Sequence, residues 1–462
     1  MRLLFLFLIL LGSVHHSIAD HFTDKKTKTD ANLTGHVINK NTGEHIPFFT
    51  VSLKGTTLGT ATDETGHYFL KNLPVGSYTI RVNGVGYRSA EKQIVLRQGE
   101  TRELNFEVEE DIIQLETVVI SANKNETNRM EAPVVVHVMT PKLFENTNSV
   151  CLAQGLSFQP GLRVETNCQN CGFQQVRING LDGPYTQLLL DGKALFSSLN
   201  GVYGIEQIPA GMIERVEVMR GGGSALYGAN AIGGTVNIIT KEPLNNLFMI
   251  SHNLIAIGNS AYDNTTSLNA SLINGQRNAG LYIFGTSRHR QHYDHDGDHF
   301  SEIGELELTT LGFRSYYKPS SQTKLTLEYH NIQEFRRGGN LFSLPPHETD
   351  ITEQADHDIN GGGVDFSFFS KDYTHKFSLY SSVQHTDRQS YYGAGKDPNA
   401  YGKTKDLTAI AGIQYSYNFN RLLFMPAILT AGSEYSYNKL VDKMLGYHRT
   451  IDQKVDVYSF FL

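Results

Sequence analysis

Ile208-Pro209-Ala210-Gly211-Met212-Ile213-Glu214-Arg215-Val216-Glu217-Val218-Met219-Arg220-Gly221 leads, after two more glycines, into Ser224-Ala225-Leu226-Tyr227-Gly228-Ala229-Asn230-Ala231-Ile232-Gly233-Gly234-Thr235-Val236-Asn237-Ile238-Ile239-Thr240. Val216 and Val218 alternate with Glu214, Arg215, Glu217 and Arg220, which is the rhythm of a strand. The glycines at 221–223 and from Gly228 to Gly234 supply tight turns and close backbone approach. A phosphate-cradling loop would need a Gly-Lys-Ser/Thr ending and a βαβ setting. Neither is present, so nucleotide binding is not expected.

Outward from this stretch, the N-terminus has a basic start at Arg2, an apolar run from Leu3 to Leu11 and a small-residue site at Ser17-Ile18-Ala19. That pattern predicts a secretory signal at 1–19, too short for a helical span of about 20 apolar residues. Gly 43, Tyr 23, Phe 25 and no Trp, with negative mean hydropathy, describe a β protein whose apolar residues alternate with polar ones. The net charge of −7 argues against nucleic acid as a partner, because phosphate neutralisation needs clustered Lys and Arg. No nucleophile–base–acid set or metal triad stands at a defensible spacing, so the chain does not read as an enzyme.

The three cysteines are Cys151, Cys168 and Cys171. In an oxidising compartment a Cys168–Cys171 bridge across a tight loop is the default reading. Metal binding or thiol redox by this pair is the alternative, without a second CxxC to support it.

Residues 31–110 show short alternating strands: Tyr78, Ile80 and Val82, then Ile94 and Leu96, then Leu104, Phe106 and Val108. They predict a small β-sandwich. A zinc site on His36, His45 and His67 lacks ligand spacing in the sequence. Gly35-His36-Val37-Ile38 to Gly43, Thr62-Asp63-Glu64-Thr65-Gly66-His67-Tyr68 and Leu73-Pro74-Val75-Gly76-Ser77-Tyr78 resemble the carboxypeptidase-regulatory-like (transthyretin-like) domain, a structural and interaction module. The apolar, β-branched segment Glu116-Thr117-Val118-Val119-Ile120-Ser121-Ala122 reads as a strand with a flexible polar exit from Asn123 to Arg129.

Residues 130–243 carry the most specific resemblance. Gln175-Val176-Arg177-Ile178-Asn179-Gly180, Gln187-Leu188-Leu189-Leu190-Asp191-Gly192 and the two stretches quoted first resemble the plug of TonB-dependent outer-membrane receptors. The resemblance implies an α+β plug inside an antiparallel transmembrane β-barrel. It makes 116–122 a TonB box, which pairs as an added strand with the TonB energy-transducing complex. It also leaves the charges of Glu214, Arg215, Glu217 and Arg220 to pair with each other or with the barrel wall.

From 247 to 462, segments of about 10 residues alternate apolar and polar positions, the dyad signature of a membrane barrel. Leu325, Leu327 and Tyr329 alternate with Thr326, Glu328 and His330; Val364, Phe366 and Phe368 with Asp365 and Ser367; Ile413, Tyr415, Tyr417 and Phe419 with Gln414, Ser416 and Asn418. About ten strands are expected, whereas plugged transporters of this kind close with about 22. The expectation is therefore an incomplete barrel from a truncated gene product or fragment.

The loop from His289 to Glu305 is the most chemically loaded. Asp294, Asp296, Asp298, Glu302 and Glu305, with the carbonyl of Phe300, follow the oxygen-ligand rhythm of a calcium loop, although His299 stands where such a turn normally has Gly. A hydrated acidic loop is the plain alternative. His289, His292, His295 and His299 add a zinc or haem reading. A second long loop runs from Arg336 to His357, and Arg336 and Arg337 would attract an anionic ligand. By the resemblance, Gln169, Phe173, Phe196, Asn200 and Tyr203 on the plug would face outward to ligand.

The chain is therefore expected to be mainly β: signal, transthyretin-like β-sandwich, TonB box, plug and partial barrel in outer-membrane lipid, with the sandwich in the periplasm. The expected task is TonB-powered uptake of a small metal chelate, an iron–siderophore complex first. Haem, cobalamin or glycan import, or a non-functional fragment, are the alternatives. Structural calcium is the one candidate cofactor, and none is required.

Overall fold

The computed structural model describes residues 31–462 apart from 41, 57, 85–86, 110–117, 123, 126, 130–131, 169–171, 195–199, 222, 259, 373 and 423–424. The signal at 1–19, Glu116, Thr117, Gln169, Cys171 and Phe196 lie outside the described residues.

Along the first strand, Ala31–Asn39, buried and half-buried residues alternate without a break. It pairs antiparallel with His67–Leu73 and parallel with Thr101–Glu103 and Phe106–Val108. A second sheet has the order Gly59–Ala61, Thr50–Leu53, Gly76–Asn83, Ala90–Leu96. Leu33, Val37, Val51, Ile80, Val82 and Phe106 are fully enclosed between the two sheets. The expected apolar face of each strand is thus what joins the layers.

The next unit centres on a four-stranded mixed sheet in the order Val136–Met139, Ile213–Arg220, Gly234–Thr240, Thr186–Leu190. Gly234–Thr240 is buried along its whole length, antiparallel to one neighbour and parallel to the other. Gly234 itself has φ +139°, and a Cβ there would lie 2.1 Å from the Met219 carbonyl oxygen. Close backbone approach, one of the two roles read for these glycines, is therefore required at this position. The hairpin Leu162–Cys168 and Phe173–Ile178 and the helices Leu152–Leu156 and Asn200–Gln207 pack around the sheet, where Leu152, Leu156, Ile178 and Ile205 are buried.

Ten antiparallel strands follow in chain order, from Leu247–Ile257 to Arg449–Phe461. Leu325, Leu327 and Tyr329 are exposed on the outer face, while Thr326 and Glu328 between them are buried. Leu327 is 44% exposed and Glu328 9%, the reverse of a sheet folded in water. Exposed apolar residues and enclosed polar ones suit a sheet with lipid outside and a polar plug inside. Among the described residues no helix is long and apolar enough to cross a membrane, which says nothing of strands.

Two loop boundaries differ from expectation. His289 belongs to strand Ala279–Arg290 and Glu305 opens strand Glu305–Ser320, so the acidic loop is 291–304. Arg336 and Arg337 end strand Thr323–Gly339, and His357 lies within Ile351–Phe369. Polar residues lengthen these strands because one barrel face is polar by design, so polarity does not mark where pairing stops.

Candidate functional site

Val118–Val119 forms a two-residue antiparallel ladder with Thr127–Asn128. Beyond it, the backbone N–H groups of Ile120 and Ser121 each donate to Glu217 Oε2 at 2.8 Å, and the Ser121 hydroxyl donates to the same oxygen at 2.7 Å. Asn237 Nδ2 donates to Ser121 Oγ at 3.1 Å, and Arg215 Nε lies 2.8 Å from Glu217 Oε1. Val119 and Ala122 are buried against Val136 and Met219. At Ile120 and Ser121 this segment is held by plug side chains rather than by a neighbouring strand.

The polar exit is pinned, contrary to expectation. Lys124 Nζ lies 3.4 Å from Glu434 Oε2, and Asn125 Oδ1 accepts from Gln414 Nε2 and Ser416 Oγ at 3.0 Å each. Those partners belong to the wall strands Tyr401–Leu422 and Met425–Met444. A cavity of about 160 Å³ opens beside this clamp, with Ile120, Lys124, Lys193, Tyr227, Asp365 and Tyr380 among its lining.

The plug meets the wall through buried charge. Glu206 on helix Asn200–Gln207 lies 3.2 Å from Arg288, 2.8 Å from Arg290 and 3.3 Å from Arg336. Burial pushes the Glu206 carboxyl up, but Arg290, Arg288 and Arg336 outweigh it and bring it down to about 2. Lys193 Nζ lies 2.7 Å from Asp365, Arg314 Nη1 lies 2.5 Å from Asp191, and Lys324 Nζ lies 2.6 Å from Glu242.

These wall pairs are not the ones read from the sequence. Arg215 and Glu217 pair with each other, as expected, but Glu217 then turns to the 118–122 segment and Arg220 donates to the Pro160 carbonyl. Asp191, Lys193, Glu206 and Glu242 make charged wall contacts instead, beside that of Lys124. A usable signal existed in the charges at inward positions of the barrel strands, Arg288, Arg290, Arg314, Glu328 and Arg336, each of which needs a partner away from lipid.

The anion-attracting role read for Arg336 and Arg337 meets a different placement. Arg336 is buried between Glu206 and Glu334 and donates to the Gly172 carbonyl at 3.0 Å. Arg337 is buried too, donating to the carbonyls of Leu344 and Leu341 at 2.9 and 3.4 Å. Both are structural cations here, one anchoring the plug and one folding its own loop. Cys168 Sγ lies 2.7 Å from Glu353 Oε2, and Cys171, its expected partner, lies outside the described residues. Phe173 opens a plug strand, and Asn200 and Tyr203 lie on the helix that carries Glu206.

In the acidic loop, Asp294, Asp296, Asp298 and Glu302 each bring a carboxylate oxygen within 4.8 Å of the others. Glu305 is not in that group; it sits opposite Arg337 in the strand register. Phe300 donates its N–H to Asp298 at 2.8 Å. His299 has φ +76°, the left-handed turn that a calcium loop usually assigns to Gly. The nearby histidines take separate partners: His292 stacks on Phe342, His295 lies beside Tyr293, and His289 lies 3.5 Å from Glu307.

Known proteins agree with this architecture. Residues 33–120 match the CarboxypepD_reg-like domain and residues 128–235 the TonB-dependent Receptor Plug Domain. The vitamin B12 transporter BtuB of Vibrio vulnificus is 35% identical over 127 residues, 28% of this chain and 21% of the transporter. The ferripyoverdine receptor of Pseudomonas aeruginosa has a similar fold, with TM-score 0.57 and 14% identity over 76% of this chain and 49% of its own. The siderophore receptor PirA of Acinetobacter baumannii has TM-score 0.55 and 19% identity over 66% of this chain and 48% of its own. The matched region thus spans about a fifth of the curated relative and about half of the solved receptors. Residues 128–235 thus carry a TonB-dependent receptor plug domain, and the chain as a whole shares the fold of solved receptor barrels.

Proposed function

We propose that this chain serves energy-coupled uptake of an iron–siderophore complex across the outer membrane, with the sandwich on the periplasmic side and 116–122 as the segment that TonB engages. The observation that carries the reading is the hold on Ile120 and Ser121 by the single carboxylate of Glu217. The N–H groups of Ile120 and Ser121, held by a side chain rather than by a strand, can exchange that hold for the backbone partners of an added strand. The plug's buried ion pairs fit the same task. Ion pairs can be re-formed with water or new partners as a plug moves, and the several kcal/mol that each stranded buried charge costs would hold the plug in place until it is loaded.

The siderophore assignment is supported by fold likeness to receptors whose names include siderophore and ferripyoverdine. Cobalamin is the second reading, favoured by the sequence likeness to vitamin B12 transporters. The test is binding of radiolabelled ferric siderophores and of cyanocobalamin to the chain in outer membranes, with capture of the TonB C-terminal domain. Saturable siderophore binding, with TonB capture lost on deleting 116–122, is the expected result. Cobalamin binding alone would move the assignment to the second reading. TonB capture indifferent to the deletion would overturn the coupling role.

A further inference from the structure

His36, His45 and His67 are scattered in sequence and meet on one face of the sandwich. His36 and His67 are direct cross-strand partners, and His45 arrives through its bridge to Ile38. Ring centroids are 4.9 Å apart for His36 and His45, 4.8 Å for His45 and His67, and 5.7 Å for His36 and His67. Three imidazoles radiating tetrahedrally from one zinc ion, with Zn–N near 2.1 Å, have centroids about 5 Å apart.

We propose that His36, His45 and His67 form a site for a divalent transition-metal ion, zinc by preference, whose ligand tautomers are set by Thr65. His45 Nδ1 lies 3.0 Å from the Thr65 carbonyl, an acceptor only, so that nitrogen carries the proton. The Thr65 hydroxyl gives its own proton to Asp63 Oδ1 at 2.7 Å and therefore accepts from His67 Nδ1 at 3.0 Å. In both rings Nε2 keeps its lone pair. A backbone carbonyl and a carboxylate-backed hydroxyl behind metal-binding histidines are the usual outer supports of such ligands.

The ring nitrogens do not converge as the acidic-loop oxygens do, so the set is completed by turning of the rings, His36 above all. No hydrogen bond holds the His36 imidazole among the described residues, so rotation can bring its nitrogen onto the ion. Gly66, at φ +77°, permits the approach of His45, since a Cβ there would lie 2.7 Å from the His45 Cβ. His45 and His67 are exposed and His36 half-buried, which leaves an entry path and a fourth position for water. Glu103 adds a carboxylate close enough to act on His36. Imidazole ligands suit zinc, copper and nickel, and an oxygen-preferring calcium ion would be passed over. The site does not depend on which solute the receptor carries.

The test is titration of the full, untagged chain with zinc by calorimetry and with cobalt(II) by visible absorption, in the parent and in surface variants. The expected result is one zinc per chain lost in His45→Ala and in His67→Ala, retained in Asp296→Ala, and tetrahedral cobalt bands that vanish with the same histidines. Thr65→Val should weaken zinc ten- to a hundredfold with all three rings present, and Thr65→Ser should restore it. Circular dichroism establishes that each variant is folded. Zinc affinity unchanged in the triple His→Ala variant, or no zinc binding in the parent, would overturn the proposal. Equal affinity in Thr65→Val would remove the tautomer-setting role.

Discussion

The carboxylate of Glu217 holds Ser121 twice, through its backbone N–H at 2.8 Å and through its hydroxyl at 2.7 Å, both at the one oxygen Oε2. The same oxygen takes the Ile120 N–H, and the Asn237 amide and the buried contacts of Val119 and Ala122 add to the hold. Hydrogen bonds to a charged group are worth roughly 1.5–3 kcal/mol. Glu217→Ala should therefore speed amide exchange at 120 and 121 about ten- to a hundredfold, measured by hydrogen–deuterium exchange. Exchange unchanged in the variant would mean that the buried contacts of Val119 and Ala122 hold the segment without help.

Glu206 is the acidic centre for three arginines of the wall. Arg288 keeps Asp263 and Arg336 keeps Glu334 if Glu206 is removed, whereas among the described residues Arg290 keeps the Gly304 carbonyl alone. Glu206→Gln should destabilise the plug by about 3 kcal/mol, the usual cost of stranding a buried charge. Urea unfolding followed by limited proteolysis of the plug would measure it, and a loss below 1 kcal/mol would mean that the wall tolerates the vacancy.

The acid dependence follows from the same group. The Glu206 carboxyl lies at about 2 when folded, against 4.5 unperturbed, so folding favours the ionised form. Its contribution is complete above about pH 4.5 and fades as pH falls toward 2. Plug release measured against pH should move in that window, and Glu206→Gln should flatten this part of the profile.

Gly234→Ala should prevent correct assembly of the plug sheet. The added Cβ would meet the Met219 carbonyl oxygen at 2.1 Å, and backbone cannot swing aside as a side-chain end can. Outer-membrane yield and near-ultraviolet circular dichroism are the readouts. A variant with parental yield and spectrum would show that the two strands can separate locally.

For the acidic loop, calcium should raise the thermal midpoint of the parent, and Asp296→Ala should abolish that rise. Asp294, Asp296, Asp298 and Glu302 are close enough to share an ion, while Glu305 is committed to a strand and should be dispensable for the effect. No shift with calcium in the parent would leave a hydrated loop whose carboxylates serve the chain's own N–H groups, as Asp294 does for Gly297 and His299.

Element types were readable wherever the apolar period was unambiguous. Tyr78, Ile80 and Val82 mark one sandwich strand, and Leu325, Leu327 and Tyr329 one barrel strand, because a period of two admits only one buried or lipid-facing side. Loop ends were not readable. Arg336, Arg337 and His357 look like loop residues in sequence, yet a barrel strand must place polar residues inward.

Sequence alone determined the order of sandwich, plug and barrel strands, and which face of each strand is apolar, since both follow from local spacing. Tertiary structure decided which charges meet. Glu217 turned from the wall to Ser121, Glu206 gathered three arginines, and His36, His45 and His67 came together across two strands and a bridge. Those pairings span long stretches of chain, and charge obeys distance in space. Only the assembled ten-stranded sheet and the plug seated against it set that distance.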